Sequence, residues 1–347
     1  MAKPSRPLSP ASGSGIRQCV RSVSALFQKP GLGKFGRKKF LAGSVAVTLI
    51  LATVMVLFFS TRSLAVDVLN GDGGFETTTQ YNNWTKTQDA TSQRTVSFLQ
   101  DSATKKAGTY SLKMGNWNDT GTNMLVRGYA DHPFTPTNVV DTITLNLYWR
   151  KQSTATPQSF RVYWSILNNG KTTTLATGNI DVATTPSLID WGGTATSIPI
   201  TGLTLTPGTQ YQLRLGLDAN LNSSNSSYVV VWYDVVTLDI VYDTTPPDTT
   251  LTGGPANGAY VNTTSITFNW TGTDNKTPTA NLQYQYSSDG GTTWSAWSTA
   301  TSATVTYTEG ANRNFQVRAK DQAGNIDPTP ASTTFTVDLT APTTTIS

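Results

Sequence analysis

Along most of this chain apolar and polar residues alternate with a period of two. Thr142–Arg150 sends Ile143, Leu145, Leu147 and Trp149 to one face. Phe160–Leu167 does the same with Phe160, Val162, Trp164 and Ile166, and Tyr211–Leu217 with Tyr211, Leu213, Leu215 and Leu217. Successive side chains of a strand point to opposite faces, so each run predicts a strand with one buried face. Tyr228–Ile240 is apolar on both faces, as expected of a central strand in a two-sheet sandwich. Ser265–Trp270, Leu282–Tyr286, Ala303–Tyr307, Phe315–Ala319 and Thr333–Val337 read as further short strands, with a turn at Asp289-Gly290-Gly291. No stretch after Ser60 keeps a helical period. The predicted fold class is all-β, built from stacked antiparallel sheets.

Phe40–Phe59 departs from this pattern with twenty residues and no charge. A helix of that length spans about 30 Å, the thickness of a bilayer's hydrocarbon core. Nine basic residues and no acid precede it, whereas 16 basic residues and all 21 acids follow. The asymmetry predicts a cytoplasmic leader over 1–39, a transmembrane or signal helix over 40–60, and an exported remainder. Ser63-Leu64-Ala65 carries small residues where signal peptidase reads them, so an uncut anchor and a chain cut after Ala65 both remain open. The net charge of +4 therefore describes the leader and gives no reason to expect nucleic-acid binding. The one cysteine, Cys19, falls in the leader, so the exported part has no disulfides.

Asp243-Thr244-Thr245-Pro246-Pro247-Asp248-Thr249-Thr250-Leu251 recurs as Asp338-Leu339-Thr340-Ala341-Pro342-Thr343-Thr344-Thr345-Ile346, an interval of 95 residues. It delimits a first exported domain over 66–243 and a second over 244–338. Residues 339–347 read as the start of a further repeat or a terminal stub. Pro246 and Pro247 cannot donate to a ladder and separate the two.

The first domain opens Val68-Leu69-Asn70-Gly71-Asp72-Gly73-Gly74-Phe75-Glu76, with Trp84 soon after. It continues with Lys106-Ala107-Gly108-Thr109-Tyr110-Ser111-Leu112-Lys113 and closes Trp232-Tyr233-Asp234-Val235-Val236-Thr237-Leu238. In these three stretches it resembles the jelly-roll carbohydrate-binding modules attached to bacterial glycoside hydrolases. Asp72-Gly73 makes the opening segment longer than theirs. The resemblance implies a structural calcium ion held by the carboxylates of Glu76 and Asp234 and by carbonyls near Asn70 and Lys106. Such a mixed oxygen set suits calcium. Phe315-Gln316-Val317-Arg318-Ala319-Lys320-Asp321-Gln322-Ala323-Gly324-Asn325 and Phe335-Thr336-Val337-Asp338 resemble the immunoglobulin-like or fibronectin-type-III-like repeats of bacterial surface proteins. That implies an immunoglobulin-like sandwich and often a spacer role. Asp321 and Asn325 read as turn formers.

A sugar platform is expected on the outward face of one sheet. Alternation puts Tyr148 and Arg150 opposite Trp149, Arg161 and Tyr163 opposite Trp164, and Arg214 on a third strand. Trp117, in a loop-like context, joins them. Aromatic rings stack on sugar C–H faces while planar polar groups meet the hydroxyls. Trp149 and Trp164 read as core.

Catalysis is not expected. The exported part has His132, Glu76 and Glu309 but no cysteine. His132, in Asp131-His132-Pro133, reads as a loop histidine without a Gly-x-Ser-x-Gly elbow. Glu76 and Glu309 belong to different domains, so a glycosidase pair would have to come from aspartates, which the sequence leaves open. The sequence thus predicts a non-catalytic surface or secreted protein that binds glycans or cell-wall polysaccharide, or mediates adhesion. Its alternatives are a structural stalk and the non-catalytic portion of a truncated secreted hydrolase.

Overall fold

The computed structural model describes residues 64–117, 125–154, 157–183, 191–221 and 228–343. The leader and Phe40–Phe59 lie outside the described residues. Among the described residues no helix is long and apolar enough to cross a membrane.

The first sandwich contains β1 (Val66–Asp67), β2 (Thr85–Gln88), β3 (Ser97–Asp101), β4 (Ser111–Asn116), β5 (Leu125–Phe134) and β6 (Val140–Ser153). It continues with β7 (Pro157–Asn168), β8 (Thr174–Asp181), β9 (Thr196–Ile200), β10 (Tyr211–Leu221) and β11 (Val229–Tyr242). One six-stranded sheet runs β3-β4-β11-β6-β9, with β1 added to β11; the facing five-stranded sheet runs β2-β5-β10-β7-β8. A short helix, α1 (Thr78–Asn83), is closed at its start by a capping box between Thr77 and Gln80.

The alternation works as predicted. Leu145, Leu147, Val231 and Leu238 from one sheet meet Val162, Ile166, Leu213 and Leu215 from the other in one buried core. Full burial of such a side chain stabilises by about 1.5–3 kcal/mol. Tyr233 crosses that core, and its hydroxyl donates to the Gly216 carbonyl of the opposite sheet at 2.9 Å. Lys151 is also buried; it pairs with Asp181 and donates to the Ala183 carbonyl at 2.5 Å. A buried cation needs such partners. Trp164 is core, as expected, whereas Trp149 is only partly buried and donates through Nε1 to Thr196 at 3.1 Å.

The second sandwich contains β12 (Asp248–Gly253), β13 (Tyr260–Val261), β14 (Ser265–Thr273), β15 (Gln283–Ser287), β16 (Ser302–Thr306), β17 (Gly310–Lys320) and β18 (Ala331–Val337). Three strands, β12-β14-β16, face four, β13-β18-β17-β15. Phe268 and Phe315 stack with ring centroids 3.8 Å apart, and Trp270, Tyr307 and Phe335 complete an aromatic core. The turn expected at Asp289-Gly290-Gly291 is present, with φ of 73° and 90° at the two glycines. Asp321 and Asn325 form the predicted turn: the Asn325 N–H and side-chain amide both donate to the Asp321 carboxylate, at 2.7 and 2.8 Å.

Candidate functional site

The predicted sugar-binding residues fall on two opposite outer faces, not one. β7 and β10 belong to the five-stranded sheet, β6 to the six-stranded sheet. Arg161, Tyr163 and Arg214 therefore share one face, while Tyr148 and Arg150 lie on the far side of the sandwich. Alternation fixes inside against outside but not which sheet a strand joins.

On the five-stranded face, Tyr129, Gly216 and Tyr163 stand in register across β5, β10 and β7. The Tyr163 ring lies over Gly216; a Cβ there would sit 2.2 Å from its Cζ. The Arg214 guanidinium lies 3.4 Å from the Tyr129 ring centroid, and that of Arg161 lies 4.4 Å from the Tyr163 centroid. Cations at such range are attracted to the ring faces. Arg214 also grips Asp131 with two bonds of 2.7 and 2.9 Å, and Lys171 reaches the same carboxylate at 3.1 Å. Asp131 is 0% exposed, so its charge depends on these partners. Arg127 donates to Asp218 at 2.8 Å, and Arg161 stands 3.6 Å from it. Burial pushes the Tyr163 hydroxyl up to about 12. Tyr129, Arg127 and Asp131 were not found from sequence. The inward positions of β5 are Val126, Gly128, Ala130, His132 and Phe134, too small and mixed to show an apolar alternation.

On the six-stranded face, Lys113, Trp232 and Arg150 stand in register across β4, β11 and β6. Trp232 is buried, and its indole N–H donates to Asp101 at 2.7 Å. Lys113 lies 4.3 Å from the Trp117 ring centroid and Arg150 lies 5.2 Å from that of Trp232. Tyr148 is overlain by Lys106, whose Nζ is 4.7 Å from the ring centroid. Tyr148 and Trp117 thus each carry a cation over one ring face, as Tyr129 and Tyr163 do on the other sheet.

The residues expected to hold calcium are arranged as a hydrogen-bonded clip. Asp234 accepts the N–H groups of Lys106 at 2.7 Å, Ala107 at 3.0 Å and Val235 at 2.8 Å. Glu76 accepts those of Thr109 at 2.7 Å and Tyr110 at 3.4 Å. Gly108 makes the wrap possible, since a Cβ there would lie 2.1 Å from Glu76 Oε1. Burial raises the Asp234 pKa; the three N–H bonds oppose that rise and nearby Glu76 adds to it. Asn70 is a left-handed turn residue with φ of 53°. These hydrogen bonds tie residues 106–110 to the opening segment through Glu76 and to the last strand through Asp234.

The longer opening segment has its own work. Gly73 pairs with Val236 at a register shift in β11, where a Cβ would come within 1.8 Å of the Val236 carbonyl oxygen. Asp72 accepts from Asn83 at 2.8 Å and lies 2.9 Å from Nε2 of His132. His132 is in strand β5, not a loop, and is 5% exposed beside Trp84. So enclosed, it is poorly placed to act as a base on a bound substrate. Glu76 is held in the clip and Glu309 bonds Thr340 at 2.8 Å in the second sandwich, so the two form no carboxylate pair.

A cleft of about 610 Å³ lies elsewhere, lined by Ile143, Ile200, Leu203, Leu205, Asp141 and Lys276. It contains none of the platform residues.

No protein-family model matches the chain, and no curated protein matches it. Among solved structures it is similar to the carbohydrate-binding module TmCBM61 in complex with β-1,4-galactotriose, with 9% identity over 50% of this chain and 97% of that one and a TM-score of 0.30. It is similar to the adhesin domain of Epf from Streptococcus pyogenes, with 12% identity over 67% of this chain and 79% of that one and a TM-score of 0.32. It is also similar to the enzymatically active domain of tailspike protein 4 of bacteriophage CBA120, with 15% identity over 52% of this chain and 22% of that one and a TM-score of 0.30. These are likenesses of fold alone. What the two outer faces do has to come from their side chains.

Proposed function

We propose that this chain is an exported, non-catalytic binding protein whose first sandwich engages polysaccharide or cell-wall glycan, or mediates adhesion, through the outer face of its five-stranded sheet. The observation that carries this reading is the row Tyr129–Gly216–Tyr163. The Tyr163 ring lies over Gly216 beside Tyr129, and the two rings are bordered by Arg214, Arg127, Arg161 and Asp218. Rings give the stacking surface a sugar needs, and the bordering charged groups give directional hydrogen bonds. The jelly-roll resemblance, the basic leader and the apolar segment Phe40–Phe59 support export to the cell surface. On this reading Phe40–Phe59 either anchors the chain or is removed after Ala65.

The test is binding of the full chain, in detergent, to an array of soluble and insoluble polysaccharides, with Tyr129→Ala and Tyr163→Ala as controls. Retention that both variants lose supports the proposal. Absence of binding to every polysaccharide sinks it.

A second reading, a stalk that spaces other parts of a surface protein from the membrane, has its own supporting observation. Arg214 with Asp131 and Arg127 with Asp218 already satisfy one another, which suits a self-contained surface.

A further inference from the structure

The chain leaves the first sandwich through Asp243, and there it meets two aspartates of the second. Asp274 follows β14 and Asp321 follows β17. One carboxylate oxygen from each of the three lies within 4.8 Å of the other two. Asp243 is 3% exposed and Asp321 4%. Three like charges in so desolvated a place repel one another unless something neutralises them.

Nearby donors meet only part of the demand. Asp243 Oδ1 accepts the Thr245 N–H at 3.0 Å. Asp274 Oδ2 accepts the N–H groups of Lys276 and Thr277 at 2.8 and 2.6 Å. Asp321 is used by Asn325. Asp243 Oδ2 and Asp274 Oδ1, however, are both buried with no hydrogen-bond partner. The two lysines nearest in sequence are engaged elsewhere: Lys276 Nζ pairs with Asp141 at 2.9 Å, and Lys320 Nζ lies 4.5 Å from the Trp297 ring centroid. Burial is the first cause raising the Asp243 pKa. The Thr245 N–H and the Asn275 side chain lower it, while Asp274 and Asp321 raise it further. No cation is among these influences.

Buried oxygen lone pairs without donors are what a hard cation requires. Calcium takes six to eight oxygens at about 2.3–2.6 Å, so oxygens on opposite sides of the ion stand about 4.6–5.2 Å apart. The three carboxylate oxygens lie within 4.8 Å of one another, close enough to share one ion. We propose that Asp243, Asp274 and Asp321 bind one calcium-class divalent cation at the junction of the two sandwiches, with water completing the shell.

One ligand comes from the first sandwich and two from the second, so the ion locks the junction. Weaker bonds already span it. The Asn325 amide reaches the carbonyls of Asp243 and Thr245 at 3.3 and 3.4 Å, and Asn138 donates to the Ala323 carbonyl at 3.1 Å. Extracellular calcium modules bind with dissociation constants of about 10⁻⁴–10⁻³ M. A site in that range loads outside the cell and stays empty in the cytoplasm. On the reading that the chain is exported, the junction stiffens only after export.

Equilibrium dialysis of the full chain in detergent against calcium, together with thermal melts in EDTA and in calcium, tests this. The wild type should bind one more calcium ion than Asp243→Asn/Asp274→Asn. At calcium about tenfold above the dissociation constant, its folded-to-unfolded ratio should rise about elevenfold. In EDTA the double variant should melt no lower than the wild type, because two repelling charges are gone; in calcium the order should reverse. Glu76→Gln should leave the binding intact, which separates this site from the clip. If the double variant does not fold, the partly exposed Asp274→Asn alone should weaken calcium binding at least about tenfold, the loss of one charged ligand. Equal calcium binding by wild type and variants, or a wild-type melt indifferent to calcium, overturns the proposal.

Discussion

The ring of Tyr163 rests on Gly216, where a Cβ would stand 2.2 Å from Cζ and 2.5 Å from the hydroxyl oxygen. The glycine thus sets the height of an aromatic ring on a neighbouring strand. Gly216→Ala should lift that ring while leaving the sandwich folded, because the clash is with the far end of a mobile side chain. The expected outcome is an unchanged far-ultraviolet spectrum with glycan binding weakened by about tenfold, the scale of one lost stacking contact. Full binding by this variant would show that the Tyr163 ring is not a platform.

The two outer faces make opposite predictions for two tyrosines. Tyr163→Ala should weaken retention on polysaccharide by at least about tenfold. Tyr148→Ala, on the far side and under the Lys106 ammonium, should leave it unchanged. Isothermal titration with whichever polysaccharide binds decides the matter, and the reverse pattern would move the site to the six-stranded sheet.

Arg214 and Asp131 form the most enclosed ion pair on the five-stranded face. Arg214→Met should destabilise by about 3 kcal/mol, since it strands a buried carboxylate with only Lys171 beside it. Adding Asp131→Asn should recover much of the loss. Urea denaturation of the single and double variants measures the coupling; strictly additive losses would contradict it.

Alkaline pH should unfold the protein through its tyrosines. Burial pushes Tyr163 and Tyr307 up to about 12 and Tyr233 well above its usual value. Each is protonated when folded, so the stability it carries is complete below about pH 10; for Tyr163 and Tyr307 it is lost as the pH rises through about 12. Absorbance at alkaline pH should show these three tyrosines ionising together with unfolding, and their ionisation well before unfolding would contradict it.

Val235 has a φ of 49° and is partly exposed, a left-handed conformation that a β-branched side chain resists. It follows Asp234 at the register shift in β11 where Gly73 pairs. Val235→Asn should raise stability by about 1 kcal/mol, because asparagine tolerates that conformation. A lowered melting temperature would mean that the side chain has packing the backbone argument omits.

The long strands were legible because burial of one face writes itself into local order: β6, β7, β10 and β11 begin and end within a few residues of their predicted bounds. β5 was not legible. Its inward residues include Gly128 and His132, and Pro133 suggested a loop. Pro133 is tolerated because pairing with β2 stops at Asp131, leaving that side of β5 without a ladder. Sheet membership was also out of reach. Tyr148 and Tyr163 look alike in sequence, and only pairing between distant segments separates them. Glu76 and Asp234 do join distant segments, through hydrogen bonds to residues 106–110 that no local pattern in the sequence announces. Asp243 was read only as part of a linker, since its neighbours Asp274 and Asp321 are brought to it by the fold.

The first and last strands of the first sandwich lie side by side, Val66 against Ile240 and Asp67 against Asp239. Because the pair is antiparallel, the chain enters and leaves at the same end of the ladder. Tension along the chain between Val66 and Asp243 therefore bypasses most of the sandwich and pulls β1 open like a zipper, one pair at a time. The first firm stop is the Asp67 carboxylate, which holds the N–H groups of Leu69 and Leu238 at 3.0 and 3.2 Å. Under mechanical load the sandwich would hang beside the line of force and keep its outer faces intact while its first strand peels away.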